Sequence, residues 1–282
     1  MPVANVNGVT INYHLIGKGT PLVLIEGLGA DHNSWIHQIP DLQTHFSLLL
    51  FDNRGIGKST VAFGRYTISL MADDLAALLD HLGIEKAHIM GSSMGGMIAQ
   101  EFAARYPERV EKLILCATFA KHPEMRTMII EGIRQVLRGT SDDCIELQPH
   151  HVLLEKVATY FFKQVFSESF LLENKIFIGQ TIQRDLMNPL HGETFLKQLD
   201  AIAHHDTTQK LQNIMAETLV ITGDSDRLVK PSCSEYLASH IPHAQLKVVE
   251  GGTHGFHIEK PTLFNKIILD FLLDKQDGNV IH

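Results

Sequence analysis

Two glycines around one serine are the first feature of this sequence that could carry chemistry. Gly91, Ser93 and Gly95 fit the pattern Gly-x-Ser-x-Gly in one register, with an apolar run before it and a helix-like run after it. This context predicts a sharp strand-to-helix turn, where side chains two residues from the serine would collide with the backbone. Such a turn exposes the hydroxyl as a nucleophile and brings the Met94 N–H near a developing oxyanion.

Two loops late in the chain carry the acids and histidines that a serine nucleophile needs. An imidazole must take the hydroxyl proton, and a carboxylate must orient the imidazole. One loop contains Asp224 and Asp226, and a later loop contains His254 and His257. Each loop follows a strand-like run, and the carboxyl ends of parallel strands share one edge of a sheet. The residues alone leave both acids and both histidines open.

Apolar runs at regular intervals predict the strands and helices that would position these groups. Continuous apolar runs indicate buried strands, and apolar residues at helical spacing indicate helices. Strands are predicted at Val9–Ile16, Pro21–Ile25, Phe46–Phe51, the run from Ala87 to the serine, Val110–Ala117, Glu217–Gly223 and Ala244–Glu250. Helices are predicted at Thr67–Leu82, the run after Ser93, Ser232–His240 and Pro261–Leu273. The alternation of strands with helices indicates a parallel sheet covered on both faces.

The rhythm changes between residues 121 and 213, where the pattern is helical and no sheet strand is evident. We expect these residues to form a helical lid over the carboxyl ends of the strands, and residues 1–120 and 214–282 to form the core domain. The apolar residues of the lid suggest that the substrate carries an apolar group, although packing against the core would explain each of these residues. They include Met125, Met128, Ile129, Tyr160, Phe161, Phe162 and Phe166.

Composition and charge exclude several classes of protein. The 282 residues are 44% hydrophobic and carry a formal net charge of −8, which argues for a sizeable core and against nucleic-acid binding. Cys116, Cys144 and Cys233 are widely spaced, so neither a disulfide framework nor a zinc site is indicated. No apolar run is long enough to span a membrane, and no signal peptide is evident. We expect a cytoplasmic protein.

Together these motifs resemble the α/β-hydrolase superfamily, in its lidded esterase, lactonase and epoxide-hydrolase-like branch. The resemblance implies an α/β fold with a mostly parallel central sheet flanked by helices, and an inserted helical lid. The chain order Ser, Asp, His is the order of that family. Its acid loop reads Gly-x-x-Asp with a following proline, which matches Gly223, Asp226 and Pro231 and favours Asp226 over Asp224.

The histidine loop and the catalytic residues follow from the same resemblance. The family pattern of a histidine with a later Glu and Pro matches His254, Glu259 and Pro261, and so favours His254 over the second histidine of the loop. The resemblance therefore implies a catalytic triad of Ser93, Asp226 and His254.

Histidine pairs elsewhere lack carboxylate or cysteine partners at ligand spacing, so no metal site is expected. No nucleotide fingerprint is complete, so no cofactor is expected either.

The early strand is followed by a loop that the resemblance identifies as half of an oxyanion hole. The family motif His-Gly-x corresponds to Glu26-Gly27-Leu28, so the N–H groups of Leu28 and Met94 are expected to bind the oxyanion. Glu26 stands where relatives usually have histidine. Because a carboxylate aimed at an oxyanion would oppose catalysis, we expect the Glu26 side chain to point away from it, toward Arg54.

The resemblance implies a serine hydrolase that cleaves a small carboxylic ester or lactone through an acyl-enzyme, without a metal or organic cofactor. An enol-lactonase, a carbon–carbon bond hydrolase and a perhydrolase are alternatives, because the same triad supports all three reactions. A ligand receptor on the same fold is an alternative outside catalysis. The expected partner is therefore a small-molecule substrate, with no nucleic acid and no membrane span involved.

Overall fold

An eight-stranded sheet is the centre of the computed structural model, which describes residues 2–121, 150–186 and 189–274. The strands are β1 (Val3–Val6), β2 (Val9–Gly17), β3 (Pro21–Ile25), β4 (Ser47–Phe51), β5 (Ala87–Ser92), β6 (Val110–Cys116), β7 (Glu217–Gly223) and β8 (Ala244–Val249). Their order is β1-β2-β4-β3-β5-β6-β7-β8. The contacts of β1 and β2 are antiparallel, and the remaining neighbours pair in parallel. The predicted mostly parallel sheet is confirmed.

Outside residues 121–213, each predicted helix is present within a residue or two of its expected bounds, and two short helices, Ile39–Leu42 and Phe256–Glu259, are ones that the sequence pattern does not predict. The described helices are α1 (Ile39–Leu42), α2 (Ile68–His81), α3 (Met94–Arg105), α4 (His150–Val165), α5 (Glu168–Glu173), α6 (Lys175–Leu186), α7 (Pro189–Ala203), α8 (Pro231–His240), α9 (Phe256–Glu259) and α10 (Pro261–Leu272). Helix α2 begins one residue after the predicted start, because the Thr67 hydroxyl accepts a hydrogen bond from the Leu70 N–H and so caps the helix.

Each central strand buries both of its faces, which explains the continuous apolar runs. Successive side chains of a strand point to opposite faces of the sheet. In β3, Val23 and Ile25 pack with α2 and α3 on one face, whereas Leu22 and Leu24 pack with α10 on the other. Strand β8 lies at the edge of the sheet, and its residues from Gln245 to Val248 are exposed.

The chain between β6 and β7 contributes helices α4 to α7 and no strand within its described residues. Phe166, at the end of α4, is buried, whereas Phe161 and Phe162 are half-buried. The predicted lid residues Met125, Met128 and Ile129 lie outside the described residues. The domain boundaries at 121 and 213 stay a prediction. In the parts of the chain that the structure describes, no helix has the length and apolar character needed to cross a membrane.

Candidate active site

Ser93 lies on the sharp turn between β5 and α3. Its backbone angles are φ 53° and ψ −117°, in a region that residues with side chains rarely adopt. Hydrogen bonds hold this conformation on both sides of the residue. The Ser93 N–H donates to the Cys116 carbonyl at 2.8 Å, and the Thr118 hydroxyl donates to the Ser93 carbonyl at 2.8 Å. Strain held by its surroundings is typical of functional positions.

The glycines of the motif are required by close backbone contacts. A Cβ on Gly91 would lie 2.2 Å from the Gly95 carbonyl oxygen, and a Cβ on Gly95 would lie 2.1 Å from the Ile25 carbonyl oxygen. Neither contact involves a flexible side chain that could move aside. The spacing in the sequence therefore reflects a turn in which β3, β5 and α3 meet at their backbones.

Asp226 follows β7 and is held by the turn that it starts. One of its carboxylate oxygens, Oδ1, accepts hydrogen bonds from the N–H groups of Leu228 and Val229, both at 2.8 Å. The residue is buried. These two bonds leave the second oxygen, Oδ2, pointing toward the loop that follows β8.

His254 meets Asp226 across these two loops. His254 Nδ1 lies 2.8 Å from Asp226 Oδ2, and both side chains are buried. The two loops approach closely because glycines face each other: a Cβ on Gly223 would lie 2.0 Å from the Gly252 carbonyl oxygen. A carboxylate bonded to Nδ1 keeps the proton there and presents Nε2 as a base.

The second acid and the second histidine of these loops lie elsewhere. The exposed Asp224 carboxylate accepts hydrogen bonds from the Gly251 N–H and the Ser225 hydroxyl. His257 is buried against Trp35, and burial lowers the pKa of its imidazole to about 3. Neither His257 ring nitrogen has a partner among the described residues. The structure therefore pairs Asp226 with His254.

Ser93 lies at the same edge of the sheet as this pair, at the carboxyl end of β5. Within the described residues, no hydrogen bond joins the Ser93 hydroxyl to the His254 ring. Nucleophile-to-base contacts are often loose without substrate and tighten when it binds. The structure thus joins two of the three expected catalytic residues directly and places the third at the same edge.

The two expected oxyanion donors flank Ser93. Met94 is the first residue of α3, where a backbone N–H has no partner inside the helix. The loop after β3 packs against the nucleophile, since a Cβ on Gly27 would lie 3.2 Å from the Ser93 Cβ. None of the described residues accepts a hydrogen bond from the N–H of Leu28 or of Met94. Both groups are available to a developing negative charge.

The expected contact between Glu26 and Arg54 is wrong. Arg54 donates two hydrogen bonds of 2.6 Å to the buried Asp74 carboxylate instead. Glu26 is buried and turns back on its own loop, where Oε2 accepts a hydrogen bond from the Gly27 N–H at 2.9 Å. Burial raises the pKa of Glu26 to about 8, so its carboxyl is mainly neutral at neutral pH. The sequence pattern shows Glu26 as an ordinary charged residue and gives no sign of this burial.

The inserted helices reach the loops of the site at several points. The Gly255 N–H, next to His254, donates to the Val165 carbonyl at 2.9 Å. Glu259 accepts hydrogen bonds from the N–H and hydroxyl of Ser167. The amino-acid sequence does not predict these contacts, because the insertion carries no motif.

Possible metal ligands are scattered rather than clustered in the part of the chain that the structure describes. Across 2–121, 150–186 and 189–274, no group of three or more His, Cys, Asp or Glu side chains is arranged to hold a metal ion. The expectation that the protein works without a metal or cofactor stays a prediction.

Comparison with known proteins gives consistent results. A family model described as the alpha/beta hydrolase fold matches residues 20–261. The 3-oxoadipate enol-lactonase 2 of Acinetobacter baylyi is 30% identical over 262 residues, covering 92% of each chain. RutD of Pantoea ananatis, provisionally named a carbamate hydrolase, is 31% identical over 256 residues, covering 89% of this chain and 87% of its own.

A solved structure agrees with these relatives. The crystal structure of the enol-lactonase from Burkholderia xenovorans LB400 superposes with a TM-score of 0.83 at 28% sequence identity. The match covers 96% of this chain and 100% of that one. The match is therefore not confined to one part of either chain.

Proposed function

Since the chain belongs to the α/β-hydrolase-fold family, we propose that it is a serine hydrolase that cleaves a small carboxylic ester or lactone through an acyl-enzyme. The observation that carries this proposal is the strained Ser93 at the same sheet edge as the buried Asp226–His254 pair. A serine on such a turn, an imidazole oriented by a carboxylate and two N–H groups with no acceptor among the described residues are the parts that acyl transfer requires.

In the proposed reaction, Ser93 Oγ attacks the acyl carbon while His254 Nε2 takes the hydroxyl proton. The carbonyl oxygen becomes an oxyanion that accepts hydrogen bonds from the N–H groups of Leu28 and Met94. The bond to the leaving oxygen then breaks, and His254 returns the proton to that oxygen. Water, deprotonated by His254, then attacks the acyl carbon. The bond from this carbon to Ser93 Oγ breaks, His254 returns the proton to Oγ, and the acid is released. Asp226 holds the His254 tautomer and stabilises its charged form throughout.

The relatives support two substrate classes. An enol-lactone is a cyclic ester, so the enol-lactonase relatives favour the lactone form of the proposal. A carbamate is the second candidate, and the name of the RutD relative supports it. The carbonyl group of a carbamate would be attacked by Ser93 in the same way as that of an ester. The same triad would also serve carbon–carbon bond cleavage or perhydrolysis, and a receptor on this fold would bind its ligand without cleaving it.

We also propose that residues 121–213 form a helical lid on a core of residues 1–120 and 214–282. Contacts from Val165 and Ser167 to the histidine loop support this division. A cytoplasmic location is part of the proposal as well. Within the described part of the chain, Cys116 and Cys233 form no disulfide, which suits a reducing compartment.

The test compares hydrolysis of p-nitrophenyl esters of increasing acyl length, of lactones and of matched carbamates by the wild type and by Ser93→Ala. Loss of a triad serine lowers kcat by about 10⁶-fold in a well-studied protease, and a loss of several orders of magnitude is expected here. Ser92→Ala is the matched control, because Ser92 is the adjacent buried serine at the end of β5. It should keep most of the activity.

A fluorophosphonate separates an armed serine from a binding protein. The proposal expects one adduct on Ser93 in the wild type and none in Ser93→Ala. Hydrolysis that survives in Ser93→Ala would overturn the assignment of the nucleophile. A wild type that neither hydrolyses any of the substrates nor reacts with the phosphonate would favour a ligand receptor.

A further inference from the structure

In the loop after β3, three of four consecutive backbone N–H groups have a hydrogen-bond acceptor. The Gly27 N–H donates to Glu26 Oε2, the Gly29 N–H donates to Gln198 Oε1 at 3.0 Å, and the Ala30 N–H donates to the Gly27 carbonyl. Only the Leu28 N–H among these four has no acceptor within the described residues. The loop therefore leaves one donor available, at the position expected to bind the oxyanion.

Gln198 is the one of these acceptors that comes from outside the loop. It belongs to α7, 169 residues away along the chain, and its side chain is fully buried. Its position is supported by close packing of α7 on the loop. A Cβ on Gly29 would lie 3.2 Å from the Phe195 ring, and Gly29 has a φ of +71°. A side chain at position 29 would be strained by this backbone conformation and would crowd the Phe195 ring. Glycine therefore allows the helix to approach the loop closely.

The same face of α7 also contacts the loop after β4. Thr194 lies one helical turn before Gln198, and a Cβ on Gly55 would lie 2.6 Å from its hydroxyl oxygen. Both side chains are fully buried. Helix α7 thus rests on the ends of two neighbouring strands, and the Gln198 hydrogen bond is part of a packed contact.

We propose that Gln198 is a positioning residue for the oxyanion hole, which holds the Gly29 N–H so that the Leu28 N–H faces the reacting carbonyl oxygen. The inference rests on the proposed serine hydrolase function. Gln198 holds the Leu28–Gly29 peptide, and the position of this peptide sets the direction of the Leu28 N–H in the peptide before it. The contact thereby couples the inserted helices to the catalytic machinery. Its own Nε2 is buried without an acceptor among the described residues, so the side chain is poorly explained by stability alone.

The test replaces Gln198 by methionine, which has a similar length and shape but no hydrogen-bond acceptor of comparable strength. Lys197→Met is the matched control, because Lys197 is the adjacent residue of α7 and donates to the Ala62 carbonyl at 3.0 Å, outside the oxyanion loop. Gln198→Met should lower kcat and kcat/KM together by about 10- to 100-fold, as expected for a misplaced oxyanion donor. KM and the melting temperature should stay close to those of Lys197→Met.

Amide exchange of Gly29, followed by NMR, tests the contact without any assay of activity. Exchange should accelerate in Gln198→Met and not in Lys197→Met. Unchanged exchange would overturn the contact, and faster exchange with unchanged kcat would overturn the positioning role. A wild type that neither hydrolyses ester nor reacts with a phosphonate would instead refute the proposed function, and with it the role in catalysis. The exchange data would still decide whether Gln198 holds the loop.

Discussion

The burial of Glu26 is expected to make the stability of the protein depend on pH. Glu26→Gln keeps the shape of the side chain and an oxygen that can accept from the Gly27 N–H, but it removes the ionisable group. Burial, with a smaller contribution from Asp31, raises the pKa of Glu26 from 4.5 to about 8. In the unfolded chain the same carboxyl is expected to titrate near its ordinary value.

The folded protein binds a proton at Glu26 more tightly than the unfolded chain does. Between pH 4.5 and pH 8 the folded protein holds a proton on Glu26 that the unfolded chain releases, so stability falls as pH rises through this window. One pKa unit corresponds to about 1.36 kcal/mol, so the wild type should lose about 3 kcal/mol from this group between pH 5 and pH 8. The loss is complete above pH 8, where the folded protein also releases the proton.

Urea unfolding at pH 5, 6, 7 and 8 measures this loss. Glu26→Gln should be progressively stabilised relative to the wild type as pH rises, by about 3 kcal/mol over the series. Glu108→Gln is the control, because Glu108 lies on the surface, away from this loop, and should leave the wild-type pH dependence unchanged. Parallel pH curves for the wild type and Glu26→Gln would refute the argument that Glu26 is buried and neutral.

Three further predictions concern the turn at Ser93, a glycine on α6 and the second histidine. Gly95→Ala should destabilise the protein by more than about 3 kcal/mol or prevent folding, because its Cβ would meet the Ile25 carbonyl. Gly179→Ala, in open space on α6, should instead raise stability by about 0.5–1 kcal/mol in thermal unfolding. The pKa of His257 is lowered from 6.5 to about 3, so its contribution is complete above pH 6.5 and is lost as pH falls. His257→Phe should therefore flatten the acid limb of the stability curve by on the order of 3 kcal/mol between pH 6.5 and 4, and an unchanged limb would contradict this.

Local backbone rules made the serine turn predictable from the sequence. The contact that requires Gly91 to be a glycine is with Gly95, four residues away, and the contact that requires Gly95 is with the neighbouring strand β3. Such contacts are inherent in a turn of this kind. The strands were predictable for a similar reason, since burial on both faces leaves a continuous apolar run. Predicted bounds such as Glu217–Gly223 agree with the observed strand, and most others differ by one residue.

Side-chain partners across the fold were not predictable in the same way. The expected contact between Glu26 and Arg54 is wrong because Arg54 donates its hydrogen bonds to Asp74 on helix α2. The number of charges in the sequence does not say which of them meet. Gln198 carries no signal at all, since a glutamine in a helical pattern is ordinary and its contact lies 169 residues away.

The alternation of strands and helices, the serine turn, and the loops that carry an acid and a histidine can all be read from the amino-acid sequence. These features depend on periodicity and on steric limits that act over a few residues. The pairing of Asp226 with His254, the burial that raises the pKa of Glu26, and the lack of an acceptor for the Leu28 N–H among the described residues become visible in the folded structure alone. Each of these depends on burial and on groups from distant parts of the chain, and none is defined until the elements have packed.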